Sequence, residues 1–207
     1  MHGSADSCIP CHRPRRSDDD GGACRGAVWV LFLNTDGTVN VTEGNPDIGG
    51  SRASISMIAA EELGIPYEHV RTLVADTASI GHSDTTDGSR VTFMVGLATI
   101  KAAREATQKM CARAAAIWGI EPDAVEWIDG AAQPAGPNAG KFPPMSLAEI
   151  AATSLKTGGP IAGHCESTAD GAGVSFGVYL CDIEVDPETG FTKVLRYTVV
   201  QDAGKAI

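Results

Sequence analysis

The chain has 207 residues, 43% of them hydrophobic and 20% charged, enough for one domain or a pair of small ones with a sizeable core. With 26 acidic against 16 basic side chains, its net charge of -10 argues against a nucleic-acid or anionic-membrane surface as main partner. An anionic ligand would have to be held by local donors.

Residues 1–25 are polar, rich in Gly, Pro, Arg and Asp, and lack periodicity, which predicts a disordered leader. Cys8-Ile9-Pro10-Cys11-His12, with His2 and Cys24, offers zinc-ligand residue types. A structural zinc site needs a second well-spaced ligand pair, and none follows, so no metal site is expected. The six cysteines are scattered and suggest reduced thiols in the cytoplasm. Ala27 to Leu33 is too short for a membrane span, and no cleavage site follows it.

From Val28 the pattern sharpens. Val28 to Leu33 and Val39 to Thr42 flank Asn34-Thr35-Asp36-Gly37, whose Asp-Gly predicts an antiparallel hairpin. Asn45-Pro46-Asp47-Ile48-Gly49-Gly50-Ser51-Arg52 then passes through glycines into a helix over 51–63, with Ile55, Ile58, Ala59 and Leu63 on one face. Gly64 is the expected C-cap, and Pro66 the stop. Val70 to Ala75 reads as a strand carrying Leu73 and Val74 toward the core.

Asp84-Thr85-Thr86-Asp87-Gly88-Ser89-Arg90 repeats the loop-to-helix arrangement and opens the longest helix, Arg90 to Trp118. Its expected buried face is Gly96, Thr99, Ala103, Ala106, Met110, Ala114 and Ile117, mostly small, so another element must approach closely. Gly119 ends it. Val125 to Gly130 reads as a short strand, Ala131 to Pro144 as a loop, and Ser146-Leu147-Ala148-Glu149 as a capping box opening a helix. Val174 to Val185 and Thr192 to Val200 form a hairpin across Asp186 to Gly190. The order implies an α+β architecture, not a doubly wound parallel sheet.

Each Gly-Ser-Arg corner feeds a helix start, where unpaired backbone N–H groups and the helix dipole favour an anion. Two such corners suggest one extended polar ligand held at several points. Together with Ala59-Ala60-Glu61-Glu62-Leu63-Gly64-Ile65-Pro66, Val74-Ala75-Asp76-Thr77 and Asp182 to Gly190, they make residues 28–207 resemble the molybdopterin-binding large subunit of the xanthine dehydrogenase and aldehyde oxidase family.

That resemblance implies a molybdopterin-binding domain over 26–207 with a hairpin-rich sheet packed with helices. It implies a molybdenum–molybdopterin cofactor, as a dinucleotide, serving hydroxylation of an aldehyde or aromatic heterocycle with oxygen from water. FAD and 2Fe-2S clusters would sit on partner subunits or domains, in a hetero-oligomer. Carried over by position, cofactor-binding residues would be Ile48, Gly49, Gly50, Ser51 and Arg52 in the first loop, and Thr86, Asp87, Gly88, Ser89 and Arg90 in the second.

Two departures stand out. Ile48-Gly49-Gly50 replaces a common Met-Gly-Gln, in a loop one residue shorter. The family's general-base glutamate falls beyond Ile207, which suggests a fragment, inactive alone, with no catalytic residue of its own; a non-catalytic α+β assembly or binding module is the alternative. His82 with Asp84, His164 with Cys165, and Glu61 with Glu62 read as ordinary polar pairs.

Overall fold

The computed structural model describes residues 24–74, 85–86, 91–169, 175–202 and 204, with backbone only at 24–29 and 166–169. The leader and its zinc-type residues Cys8, Cys11 and His12 lie outside the described residues, as do His82, Asp84 and the 75–84 stretch.

Strand β1 (Cys24–Leu33) and strand β2 (Val39–Glu43) form the expected antiparallel hairpin. The Asp36 carboxylate accepts from the Thr38 backbone N–H at 2.9 Å and its hydroxyl at 2.7 Å. Those two bonds hold the Asp36 carboxyl below its ordinary range.

Helix α1 (Ser51–Leu63) carries the chain from β2 across to strand β3 (Val70–Val74), which pairs with β2 in parallel. A crossover helix is what a parallel pair requires. Gly64 closes α1 in the left-handed conformation at φ 69°, as its sequence position implies. One expectation for β3 fails. Leu73 is 54% exposed, and the buried positions are Val70 and Thr72. Thr72 faces inward because the buried Ser56 hydroxyl of α1 lies 2.7 Å from its own, satisfying both groups.

Strand β7 (Ala162–Ala169) pairs antiparallel with β1 on its other side, giving the sheet order β3-β2-β1-β7. Sequence reading missed this strand. The sheet is mixed, packed on one side by helices, so the architecture is α+β as expected.

Helix α2 (Gly96–Trp118) lies across β1 and β7 and beside α1. It buries Gly96, Thr99, Ala103, Ala106, Met110 and Ala114 as its periodicity predicts, whereas Ile117 is 41% exposed. The small face lets the helix come close. A Cβ placed on Gly163 of β7 would overlap the Ala102 carbonyl oxygen. The first turn departs from the expected α-helix. Val91–Val95 is a π-helical segment, with Val91, Met94 and Val95 buried.

Strands β4 (Val125–Ile128), β5 (Ala131–Pro134) and β6 (Met145–Ser146) make a second sheet in that order. Part of the expected Ala131–Pro144 loop is therefore strand. Asp129 and Gly130, at φ 48° and 75°, make a two-residue turn whose positive φ angles match hairpin twist, and this turn pairs β5 with β4 despite poor strand residues. Helix α3 (Leu147–Thr153) opens on the capping box: Glu149 N–H donates to the Ser146 hydroxyl, and Ser146 N–H to the Glu149 carboxylate.

Strands β8 (Gly177–Val185) and β9 (Thr192–Gln201) form the expected hairpin. Every residue of both strands is exposed.

Candidate functional site

The carboxyl ends of the parallel pair β2 and β3 point the same way, and the loop 44–50 leaves from this edge to start α1. In mixed and parallel sheets such an edge, with a helix start above it, is where ligands collect.

Gly49 and Gly50 adopt left-handed φ angles of 68° and 79°, and a Cβ on either would meet nothing within 4 Å. Their backbone is therefore open to another group. Gly50 is the N-cap of α1 and supplies no side-chain cap. The helix start is steadied instead by Asp47, whose carboxylate accepts from the Arg52 backbone N–H at 3.0 Å and pairs with the Arg52 guanidinium at 3.4 Å. Arg52 is thus held in a surface ion pair on its own loop. Ile48 is 60% exposed, an apolar side chain standing out from a polar loop.

The second loop reaches the first at one described point. The Asn45 side-chain amide donates to the Thr86 hydroxyl at 3.4 Å, and Asn45 is 1% exposed. Two stretches 41 residues apart in sequence thus share an edge. Asp87, Gly88, Ser89 and Arg90 lie outside the described residues.

Sequence reasoning missed Glu43. It ends β2 on the same inward face as Val39 and Val41, and it is fully buried. Neither carboxylate oxygen has a hydrogen-bond partner, and the same holds for the buried Ser51 hydroxyl oxygen at the other end of the loop. Burial, aided by the nearby Asp47 charge, pushes the Glu43 carboxyl up to about 7. The signal was available: strict alternation from Val39 to Glu43 puts the acid on the apolar side.

Other candidates separate. His164 is exposed and Cys165 half-buried, as neighbours on a strand facing opposite ways, and the His164 backbone N–H donates to Glu105 at 2.6 Å. Glu62 pairs with Arg104 at 2.5 Å, away from Glu61. Among the described residues no group of three His, Cys, Asp or Glu side chains could hold a metal ion, and no helix is long and apolar enough to cross a membrane.

Comparison with known proteins gives a consistent answer. The pattern of the molybdopterin cofactor-binding domain matches residues 12–207. The chain is 29% identical over 183 residues to the 6-hydroxypseudooxynicotine dehydrogenase complex subunit gamma of Paenarthrobacter nicotinovorans, covering 83% of this chain and 22% of that protein. It is 30% identical over 166 residues to the carbon monoxide dehydrogenase large chain of Hydrogenophaga pseudoflava, covering 76% of this chain and 20% of that one. Among solved structures, a Cu,Mo-CO dehydrogenase superposes with a TM-score of 0.75 at 24% identity, over 88% of this chain and 23% of that chain. Quinoline 2-oxidoreductase from Pseudomonas putida 86 superposes with a TM-score of 0.73 at 19% identity, over 87% and 24%. The chain therefore spans about a fifth of the length of the curated relatives it matches.

Proposed function

Because this chain belongs to the molybdopterin cofactor-binding domain family, we propose that it is the cofactor-gripping part of an oxidoreductase subunit, working within a larger hetero-oligomeric complex. The observation that supports this reading is the Asn45 to Thr86 contact, which brings Thr86 against the first loop.

Residues here bind and orient. The open backbone at Gly49 and Gly50 and the uncapped start of α1 present N–H donors to a phosphate, where the helix dipole adds favourable charge. Ser51 and Thr86 offer hydroxyls, Ile48 an apolar surface, and Gly88 and Ser89 further donors from the second loop. Arg52 and Arg90 are candidate anion partners; Arg52 would first leave Asp47. The residues fit the group, since orphaned buried polar atoms flank the loop and no Cβ blocks its backbone.

The bound cofactor, as a dinucleotide, would supply the redox chemistry for hydroxylating an aldehyde or aromatic ring with oxygen from water. Electron transfer through FAD and 2Fe-2S partners, and a cytoplasmic location, belong to the same proposal. The named relatives act on 6-hydroxypseudooxynicotine and carbon monoxide, two unlike molecules, so substrate choice rests with the rest of the subunit.

The test is molybdenum and pterin analysis of the complete protein, with Gly50→Val and Ser89→Ala as variants. Near-stoichiometric metal and pterin, falling at least about tenfold in Gly50→Val, is the expected result. Folded protein with neither component would leave the non-catalytic scaffold as the better reading.

A further inference from the structure

Loop 44–50 is bounded by two buried polar groups with nothing to bond: Glu43 at 0% exposure on one stem and Ser51 at 5% on the other. A folded chain rarely leaves such groups empty, because each forfeits its hydrogen bonds to water. Glu43 occupies an inward position in series with Val39 and Val41, where any apolar residue would serve the fold better. Among the described residues the fold alone gives this acid no partner.

The chemistry of its partner can be narrowed. A carboxyl repels phosphate, so it faces a part of the ligand other than the one held by the helix start. Among the described residues no basic side chain supplies the missing donor: Arg52 is engaged by Asp47, and Arg71 on β3 points outward and is exposed. The π-helical segment Val91–Val95, which packs on β1 and α1, contributes no charge, and the β1 residue opposite Glu43 is Val28. Among the described residues Asp47 is the charged group that acts on it. Two acceptor oxygens side by side match two N–H donors in one plane.

We propose that Glu43 recognises the amino-pyrimidine edge of the bound cofactor, its two carboxylate oxygens accepting from a ring N–H and the adjacent amino group, while the Ser51 hydroxyl donates to a neighbouring ligand oxygen. This rests on the cofactor reading above. Both Glu43 oxygens are shielded, so the ring edge reaches them as loop 44–50 shifts, and Gly49 and Gly50 give the backbone that freedom. Paired N–H donors favour the carboxylate, so docking expels a proton from Glu43, and cofactor retention strengthens as pH rises through about 7.

The experiment uses the complete purified protein and follows pterin, read by fluorescence after oxidation, during dilution and dialysis at pH 6 and pH 8. Wild type without pterin removes the underlying cofactor reading and this one with it. Given pterin in wild type, Glu43→Gln and Glu43→Ala are expected to lose it about tenfold faster at pH 8, with the pH dependence flattened and the far-UV spectrum unchanged. Loss of nucleotide-free molybdopterin and of dinucleotide alike assigns the contact to the pterin ring. Loss confined to the dinucleotide assigns it to the nucleobase, and both results support the edge recognition. Wild-type retention by Glu43→Gln at both pH values overturns the proposal. So does failure of Glu43→Gln to fold, which would make the acid structural.

Discussion

The four-stranded sheet and the β8–β9 hairpin are built from opposite materials. Strand β7 reads Ala-Gly-His-Cys-Glu-Ser-Thr-Ala, poor in strand-forming residues, yet it pairs with β1 along most of its length and lies under α2. Strands β8 and β9 hold Val, Tyr, Leu, Ile and Thr and pair along their length with one register shift after Asp182, yet Leu180, Ile183, Val194 and Tyr197 stay at least half exposed. Strand identity in this molecule follows what covers a segment more than what the segment contains.

The strongest way to break the comparison is to fill the gap between β7 and α2. Gly163→Val would drive a side chain into the Ala102 carbonyl, backbone that cannot yield, and should cost more than about 4 kcal/mol in denaturant unfolding. Gly177→Ala in the hairpin meets the far end of the exposed Gln201 side chain, which can shift, and should change stability by under about 0.5 kcal/mol. Equal costs would erase the distinction.

Truncation sharpens it. Met110→Ala, at a fully buried position on α2, should lose about 3 kcal/mol, while Val194→Ala, 59% exposed on β9, should lose under about 0.5 kcal/mol in the same assay.

Buried acid against buried hydrocarbon is the next contrast. Glu43 has its carboxyl raised from 4.5 to about 7 in the fold, so the folded state holds the proton more tightly than the unfolded chain. Its contribution is complete below about 4.5 and is lost as pH rises through about 7. Without ligand, Glu43→Gln should therefore match wild type at pH 5 and exceed it by ~2–3 kcal/mol at pH 8, seen as diverging melting curves. Parallel pH profiles would place a donor on Glu43 already.

The smallest effect concerns α3. Ser146→Ala removes the hydroxyl that accepts from the Glu149 N–H, leaves the backbone half of the capping box, and should cost about 1 kcal/mol.

What could be read from the chain, and what could not, divides along the same line. Hairpins and helices specified by local chemistry were plain: Asp36-Gly37, the Gly64 and Gly119 caps, Ser146 with Glu149, and the small face of α2. Each is settled within a few residues. Strand β7 and strand β5 were invisible because their pairing comes from distant β1 and from the Asp129-Gly130 turn, not from their own side chains. Leu73 was placed inward on apolarity alone, and the Ser56–Thr72 bond reversed that. At the site, the Gly49-Gly50 corner was legible as turn chemistry. Glu43 was not, because an acid in a strand reads as solvent-facing until its alternation with Val39 and Val41 is weighed.

The π-helical segment Val91–Val95 has one more consequence. It holds one residue more than an α-helical turn needs, so Val91 is rotated by roughly 100° relative to its place on a helix without it. Deleting one residue there would leave α2 seated on its sheet while turning Val91 out of the core. The surplus residue works as a spacer that turns Val91, Met94 and Val95 to the core together, a matter of phase and not of affinity.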